Sequence, residues 1–193
     1  MHGPEVVLVR HGETLWSRNG QHTGRTDIPL TDEGRRQSQR LGDSLRGRFA
    51  LVLTSPLQRA AETCRLAGLG DVAVLREELM EWDYGVYEGR TTPEIRAEVP
   101  GWSLWRDGVP GGETAADVGR RVDRVIAEIG DVDGDVVLFA HGHVLRVLAA
   151  RWLGLPPTEG RLFALDPATI SILGYERETP VIRRWNEPPP ARR

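Results

Sequence analysis

The sequence contains no lysine, and all 25 of its basic residues are arginine. This absence excludes sites that need a lysine side chain, such as a nucleotide-binding P-loop or a Schiff base. A compositional bias of the source genome is the simplest explanation of the deficit. The arginines that replace lysine suit phosphate recognition, because the planar guanidinium binds phosphate through two hydrogen bonds at once.

Cysteine and long apolar runs are nearly as scarce. Cys64 is the single cysteine, so no internal disulfide can form, and this suits a cytoplasmic protein. The apolar run near the amino terminus, Val6 to Val9, is far shorter than a signal-peptide core, and no segment approaches membrane-spanning length. A net charge of −3 gives no reason to expect nucleic acid or an anionic membrane as a partner.

A length of 193 residues suits one domain with a substantial core. We expect residues 1–187 to form that domain and the proline-rich residues 188–193 to be a disordered tail. Predicted strands cover residues 6–9, 51–54, 72–75 and 135–140, with a hairpin of 170–175 against 181–185. Predicted helices open at Thr31 (to about Arg46), at Ser55-Pro56, at Thr114, and from about Val144 to Leu153. This alternation predicts an α/β fold with a sheet covered on both faces.

The first chemical signal is Arg10-His11-Gly12-Glu13-Thr14, which directly follows the valine-rich strand. The glycine permits a sharp exit from the strand. Open α/β sheets place their ligand sites at the carboxyl ends of strands, where Arg10 and His11 stand. A nucleophilic imidazole beside a fixed cation suits attack on a phosphate monoester. Taken alone, the motif also fits a histidine on an ordinary loop.

The second signal repeats the first. The run Val136 to Ala140 predicts another buried strand and leads directly into His141-Gly142-His143. Two strands that each deliver a histidine and a glycine at the carboxyl end can bring both imidazoles into one crevice. Gly142, at the start of the next helix, leaves backbone N–H groups free to meet an anion.

Arg59 falls in the first turn of the helix that Ser55 is predicted to cap, where a cation opposes the helix dipole. That position suggests a duty such as clamping phosphate oxygens, although a solvated surface arginine fits the sequence too.

Glu81 is a candidate proton donor, because aromatic residues follow it and apolar rings raise the pKa of a carboxyl group. Asp83 and Glu88 are alternatives on chemistry alone. The segment from Tyr84 to Gly112 has the length of a functional lid or substrate wall.

Two other classes of function are open on these observations. His141-Gly142-His143 has the His-x-His spacing of some zinc sites, but no further ligand pattern accompanies it. A binding module could keep the same pocket to recognise a phosphorylated partner without chemistry. The set of His11, Arg59, Glu81 and His141 favours an enzyme that needs no metal or other cofactor.

In their order along the chain, these motifs resemble the histidine phosphatase superfamily, the phosphoglycerate mutase-like proteins. The resemblance spans about Val6 to Trp152. The stretches that carry it are Arg10-His11-Gly12-Glu13-Thr14, Thr23-Gly24 with Leu30-Thr31, Ser55-Pro56-Leu57-Gln58-Arg59-Ala60, Glu81-Trp82-Asp83-Tyr84-Gly85 and Ala140-His141-Gly142-His143. The family fold implied is a three-layer α/β/α sandwich around a mostly parallel, mixed central sheet.

The resemblance also implies a catalytic set. His11 is expected to be the nucleophile that becomes phosphohistidine. Arg10, Arg59 and a cationic His141 are expected to surround the phosphate. Glu81 is expected to act first as general acid and then as general base.

The resemblance further implies a substrate-binding set and a narrower relationship. Backbone or side-chain contacts are expected from Ser17, Thr23, Gly24, Tyr84, Gly142, His143 and Arg146. The chain resembles small bacterial phosphatases of the acid phosphatase type. The stretches Gly20–Gly24, Trp105–Gly108 with Gly112-Glu113-Thr114, and His141–Arg146 are also similar to fungal sedoheptulose bisphosphatases. Ser17 stands where mutases carry asparagine, and the mutases' insertion after the donor glutamate is missing.

These features predict a metal-independent phosphomonoesterase for small phosphorylated metabolites, with broad specificity and an acidic optimum. A sugar bisphosphatase, a phosphoglycerate mutase and a non-catalytic binding module are the alternatives. The resemblance leaves a homodimer open. Trp102, Trp105 and Trp185 could line the pocket, pack against a partner or fill the core, which is the usual place for tryptophan.

Overall fold

A six-stranded sheet forms the centre of the computed structural model, which describes residues 4–47 and 49–189. Its strands are β1 (Val6–Arg10), β2 (Leu51–Thr54), β3 (Val74–Leu75), β4 (Val136–Ala140), β5 (Ile170–Glu176) and β6 (Thr179–Glu187). In the order β3-β2-β4-β1-β5-β6, the first four strands pair in parallel, and β5 and β6 add an antiparallel hairpin at one edge. The sheet is therefore mixed and mostly parallel, as predicted.

Seven α-helices are found in the described residues. They are α1 (Leu15–Asn19), α2 (Asp32–Ser44), α3 (Gln58–Leu66), α4 (Thr92–Glu98), α5 (Leu104–Asp107), α6 (Ala115–Gly130) and α7 (Gly142–Trp152). The helix starts predicted at Thr31 and Thr114 are confirmed. Thr31 accepts a hydrogen bond from the N–H of Gly34, and Thr114 forms a reciprocal capping box with Asp117.

Alternate strand residues bury their side chains on opposite faces of the sheet. Leu8 and Leu138 pack into a large apolar cluster with α6 and α7, whereas Val9 and Phe139 pack into a second cluster with α2 and α3. This alternation is the period of two that a pleated strand imposes. The three-layer α/β/α sandwich is confirmed.

The register of the two central strands sets the position of the site. The Cα of Arg10 is paired with that of Ala140, and the N–H of His11 donates to the carbonyl of Ala140 at 3.0 Å. His11 and His141, the residues that directly follow the two strands, therefore leave the sheet at the same level. Gly12 is needed for close packing, since a Cβ there would lie 2.4 Å from the carbonyl oxygen of Gly34.

Several local predictions need correction. Ser55 does not cap α3, which begins at Gln58. The N–H of Gln58 instead donates to the Asp27 carboxylate at 2.8 Å, a partner distant in sequence. The strand predicted over 72–75 shortens to β3 because residues 70–72 form a 3-10 turn. Helix α2 ends two residues before Arg46.

The segment from Tyr84 to Gly112 is not an open loop. It carries α4 and α5 and buries the side chains of Tyr87, Ile95 and Trp102 in the larger core cluster. Of the predicted disordered tail, residues 190–193 lie outside the described residues, and 188–189 have no regular secondary structure. No helix within 4–47 and 49–189 combines the length and apolarity needed to cross a membrane.

Candidate active site

A cavity of about 190 Å³ opens at the carboxyl ends of β1 and β4. Three members of the predicted catalytic set line it: Arg10, His11 and Glu81. Six members of the predicted substrate-binding set also line it: Ser17, Thr23, Tyr84, Gly142, His143 and Arg146. The topology therefore brings together residues that are more than 130 positions apart along the chain.

His11 is almost fully buried and held in one tautomer. Its Nδ1 lies 2.7 Å from the carbonyl oxygen of Gly12, which can only accept, so Nδ1 carries the proton. Burial, followed by the charges of Arg59 and Arg10, holds the pKa of His11 well below its usual 6.5. The ring is therefore neutral and has its Nε2 lone pair available.

Arg10 brings a positive charge to the same wall of the cavity. One of its Nη atoms donates to the carbonyl of Leu165. Its buried Nε has no partner among the described residues. The guanidinium lies against Gly142, where a Cβ would come within 3.2 Å of Cζ. A buried, unpaired N–H beside the nucleophile is a donor that a phosphate oxygen can use.

His141 lies behind the cavity lining, with its ring centroid 5.1 Å from that of His11. Arg59 donates from Nε to His141 Nδ1 at 3.1 Å, and Ser55 Oγ lies 2.7 Å from Nε2. Because an arginine can only donate, Nδ1 has no proton, and the ring is neutral with its proton on Nε2. Burial and the charge of Arg59 lower the pKa of His141 well below 6.5. The prediction of a cationic His141 is wrong for this arrangement.

Arg59 is completely buried and also lies behind the lining. In addition to the bond to His141, its two Nη atoms donate to three backbone carbonyls, those of Thr23, Gly24 and Thr26, at 2.8–3.1 Å. The surface-arginine alternative is wrong. In this structure the guanidinium connects the loop of residues 23–26 to His141 through hydrogen bonds. Its positive charge acts on the cavity from beneath the residues that line it.

The Glu81 carboxylate is bound by three backbone N–H groups. Oε1 accepts from Trp82 and Val144 at 2.9 Å each, and Oε2 accepts from His143 at 3.0 Å. The sequence predicts that N–H groups at the start of α7 bind an external anion. In the structure, N–H groups of this helix N-terminus bind the Glu81 carboxylate of the protein instead. The Trp82 ring points elsewhere, because its Nε1 donates to the carbonyl of Glu113.

A hydrogen-bonded pair, Tyr84 and His143, forms the next part of the wall. The Tyr84 hydroxyl lies 2.6 Å from His143 Nδ1. Burial raises the pKa of Tyr84 well above 10 and lowers that of His143 well below 6.5, so the hydroxyl donates to a neutral imidazole. His22 stands beside them with a pKa lowered to about 4 by burial. This part of the cavity is therefore polar and uncharged.

Arg146 is the second arginine on the lining. Its guanidinium lies 4.7 Å from the Trp105 ring centroid, and it donates to the carbonyls of Gly160 and Arg161. Stacking and these bonds fix its plane.

Two residues that are predicted to contact the substrate, Ser17 and Gly24, form hydrogen bonds within the protein. The Ser17 hydroxyl bonds the backbone of Thr14 in the capping box of α1. The N–H of Gly24 donates to Glu88 Oε1 at 2.8 Å, and Gly24 is not on the lining. The expectation that Gly24 offers its N–H to a substrate is therefore not met in this arrangement.

Comparison with known proteins places this geometry in a family. Residues 6–188 match the family model of the histidine phosphatase superfamily, branch 1. The chain belongs to the histidine phosphatase superfamily. It is a phosphatase of that superfamily.

Individual relatives of this histidine phosphatase agree with the family match. An acid phosphatase of Mycobacterium tuberculosis is 42% identical over 194 residues, which cover 96% of this chain and 95% of that protein. Sedoheptulose 1,7-bisphosphatase of Saccharomyces cerevisiae is 39% identical over 186 residues, covering 79% and 68% respectively. The solved structure of an open reading frame product from Mycobacterium tuberculosis has a TM-score of 0.92 at 39% identity, covering 97% of this chain and 99% of that one.

Three of the six tryptophans of this histidine phosphatase, Trp102, Trp105 and Trp185, have different surroundings. Trp102 is buried in the core, and its ring forms a T-shaped contact with that of Tyr87. Trp105 stacks under Arg146 and so supports the cavity wall. Trp185 packs against Phe163 beside the β5–β6 hairpin. Core filling, the default expectation, is confirmed for Trp102.

Sequence reasoning missed other residues of the site. Gly20, Gln21, His22 and Leu165 line the cavity, and Ser55 bonds His141. The stretch Gly20–Gly24 already stood out in the sequence, so His22 could have been proposed. The carbonyl of Leu165 carries no sequence signal.

The zinc alternative has little structural support. Within the described ranges, no group of three or more His, Cys, Asp or Glu side chains is placed to hold a metal ion. His141 has both ring nitrogens engaged by Arg59 and Ser55, whereas His143 turns to Tyr84.

Proposed function

We propose that this histidine phosphatase hydrolyses phosphate monoesters of small metabolites in two steps, with His11 carrying the phosphoryl group between them. The observation that carries the proposal is the state of His11. Its Nδ1–H is held by Gly12, its ring is neutral, and Nε2 remains as the lone-pair nitrogen on a residue that lines the cavity. A neutral imidazole fixed in one tautomer is prepared to act as a nucleophile.

In the first step His11 Nε2 forms the N–P bond as the P–O bond to the leaving alkoxide breaks. The unpaired Nε–H of Arg10 meets a phosphate oxygen, and the charge of Arg59 acts from behind the wall. Glu81, protonated at the start, gives its proton to the leaving oxygen. Oε2 is the oxygen for this task, because it accepts one backbone hydrogen bond whereas Oε1 accepts two.

In the second step a water oxygen attacks phosphorus, the N–P bond breaks, and the Glu81 carboxylate takes the water proton. Phosphate leaves, and neutral His11 and protonated Glu81 are restored. His141 positions the site rather than supplying a second cation, since Arg59 and Ser55 fix its neutral tautomer. Because the cycle begins with a protonated carboxyl group, we expect an optimum on the acid side of neutrality, and a rate plateau above pH 8 would contradict it.

The substrate class follows from the uncharged part of the cavity. Hydroxyl and imidazole groups on this part of the lining can form hydrogen bonds to a hydroxylated leaving group. They belong to Thr23, His22, Tyr84 and His143. Such groups do not select one carbon skeleton, which supports broad specificity for small phosphorylated metabolites.

A sugar bisphosphatase is the second candidate. Arg146 is the observation that favours it, because this fixed guanidinium lines the cavity and can meet a second phosphate. The similarity to sedoheptulose 1,7-bisphosphatase points the same way. Ser17, in the place of the mutases' asparagine, argues against a phosphoglycerate mutase.

We further propose a single domain over residues 1–187, a cytoplasmic location and function without nucleic acid or membrane as partner. A homodimer would be compatible with this function.

Trapping the phosphoenzyme tests the proposal. Wild-type enzyme mixed with a radiolabelled aryl phosphate and quenched in base should carry acid-labile label. The variant His11→Ala should carry none, whereas the matched pocket variant His22→Ala should remain labelled. Exhaustive chelation should leave turnover unchanged. Absence of label in the wild type would refute the covalent mechanism and favour a binding module, and loss of turnover on chelation would revive the metal hydrolase.

A further inference from the structure

One motif of the sequence has no part in the catalytic set: Gly111-Gly112-Glu113-Thr114, just before α6. None of these four residues lines the cavity. Glu113 nevertheless forms a mostly buried ion pair with Arg121 of α6, at 2.8 Å between Arg121 Nε and Glu113 Oε1 and 3.1 Å between Nη2 and Oε2. Burying a charged pair is costly unless its other hydrogen bonds are also satisfied.

The other hydrogen bonds of the pair all go to the loop that carries Glu81. Arg121 Nη1 donates to the carbonyls of Glu78 and Met80, each at 2.6 Å, immediately before Glu81. On the other side of Glu81, Glu113 Oε2 accepts from the N–H of Asp83 at 2.9 Å.

The backbone of Glu113 continues the same contact. Its carbonyl accepts from Trp82 Nε1 at 2.8 Å, and its N–H donates to the carbonyl of Asp83 at 3.0 Å. Gly112 makes the approach possible, because a Cβ there would lie 2.3 Å from the Asp83 carbonyl oxygen. The residues on both sides of Glu81 are therefore bonded to Glu113 or Arg121, while the Glu81 carboxylate itself bonds neither.

We infer that Glu113 and Arg121 are positioning residues for proton transfer, holding the Glu81 carboxylate at the N-terminus of α7 and facing the leaving group. The inference rests on the proposed function of Glu81 as general acid. The short segment of residues 77–87 contains two 3-10 turns and no α-helix, so it has little regular structure of its own to fix a carboxylate. Among the residues that the structure describes, Arg25 is the only other cation paired with Glu113 Oε2, at 3.8 Å, and it is partly exposed.

The leaving-group dependence of the rate separates positioning of an acid from general stability. An aryl phosphate with a strongly acidic phenol needs little proton donation, whereas an alkyl phosphate needs a full proton. The ratio kcat/KM reports only the steps up to release of the alcohol, and so excludes the Glu81-assisted hydrolysis of phosphohistidine that all substrates share. In kcat/KM, a misplaced Glu81 therefore slows the alkyl substrate and spares the aryl one. A general loss of structure slows both equally.

The experiment compares kcat/KM on 2,4-dinitrophenyl phosphate and on glycerol phosphate for Glu113→Gln and for the double variant Glu113→Leu with Arg121→Met. The double variant avoids leaving one buried charge unpaired, which is the usual cause of unfolding at such sites. We expect kcat/KM on glycerol phosphate to fall by about 10- to 100-fold, and kcat/KM on the aryl ester by no more than about 3-fold, as for a displaced rather than deleted acid. Asp123→Asn is the matched control, because it breaks another ion pair of α6, with Arg151, away from the Glu81 loop.

The outcomes separate the positioning role of Glu113 and Arg121 from the proposed role of Glu81. If Glu81→Gln shows the steep leaving-group dependence and the Glu113 variants do not, the positioning role is overturned while the proposed function stands. If Glu81→Gln itself lowers kcat/KM equally on both substrates, the proposed role of Glu81 as general acid fails first. Equal losses on both substrates, or loss of folding in both Glu113 variants, would assign the pair to general stability and overturn the inference.

Discussion

Replacing Arg59 with lysine keeps the positive charge behind the cavity but removes the shape of the guanidinium. Arg59 donates four hydrogen bonds, one to His141 Nδ1 and three to backbone carbonyls of residues 23–26. A lysine has all its donors on one nitrogen, whereas these acceptors are bonded by three different nitrogens of the guanidinium. We therefore expect a lysine to serve either His141 or the 23–26 loop, and to lose about two of the bonds.

The magnitude follows from the burial of this site. Arg59 is 0% exposed, so a carbonyl that loses its donor has no water to replace it. Each unsatisfied buried acceptor costs about 1–3 kcal/mol. If each of the two costs a value in the lower half of that range, the free energy of unfolding falls by about 2–4 kcal/mol. For a chain of this size, about 2–4 °C of Tm is lost per kcal/mol, which predicts a fall of about 4–16 °C.

The fall in activity should be larger than the fraction of unfolded variant alone explains. Either His141 loses the donor that fixes its tautomer or Thr23 on the lining loses its anchor, so we expect kcat/KM on an aryl phosphate to fall by about 100-fold at a temperature where the variant is folded. Thermal unfolding followed by circular dichroism, together with steady-state kinetics, measures both effects. Arg36→Lys, at an exposed ion pair on α2, is the control and should change neither. An Arg59→Lys variant with wild-type Tm and wild-type turnover would refute the reasoning.

Two further predictions concern pH and close packing. Burial lowers the pKa of His11, His141 and His143, and that of His22 to about 4, so between about pH 6.5 and the folded pKa values the unfolded chain binds more protons. Stability should therefore fall as pH is lowered through this window. The urea midpoint should be lower at pH 5 than at pH 7.5, and less so in His22→Gln. A midpoint that does not change would contradict the neutral buried rings. Gly112→Ala should lower Tm and slow glycerol phosphate turnover, because its Cβ would meet the Asp83 carbonyl at 2.3 Å, whereas Gly130→Ala has nothing within 4 Å and should be at least as stable as wild type. Equal behaviour of the two alanine variants would show that the approach to Asp83 is not tight.

The elements that sequence predicts well are those specified by local patterns. The apolar runs at β1 and β4 specify buried strands, and Thr114 with Asp117 specifies the start of α6 within its own four residues. The two strand-end histidines follow from these patterns, because parallel neighbours deliver their next residues to the same edge.

The failures occur where a distant partner replaces a local one. Ser55 has the right chemistry for a cap, yet Asp27 takes that place and the serine hydroxyl turns to His141. Aromatic neighbours in sequence suggest an apolar setting for Glu81, but its carboxylate bonds N–H groups more than 60 residues away. Such contacts depend on how the layers pack, and no local spacing in the chain encodes them.

The alignment of Arg10 with Ala140 across β1 and β4 has a consequence for folding experiments. If the two strands paired one residue out of register, His11 would shift by about 3.3 Å along the strand relative to His141, and the side chains of one strand would exchange the two buried faces of the sheet. A molecule in that state would retain most of its secondary structure but would lack turnover. Recovery of activity during refolding therefore measures the fraction of molecules whose central strands have paired in register, whereas circular dichroism measures the sheet in every register.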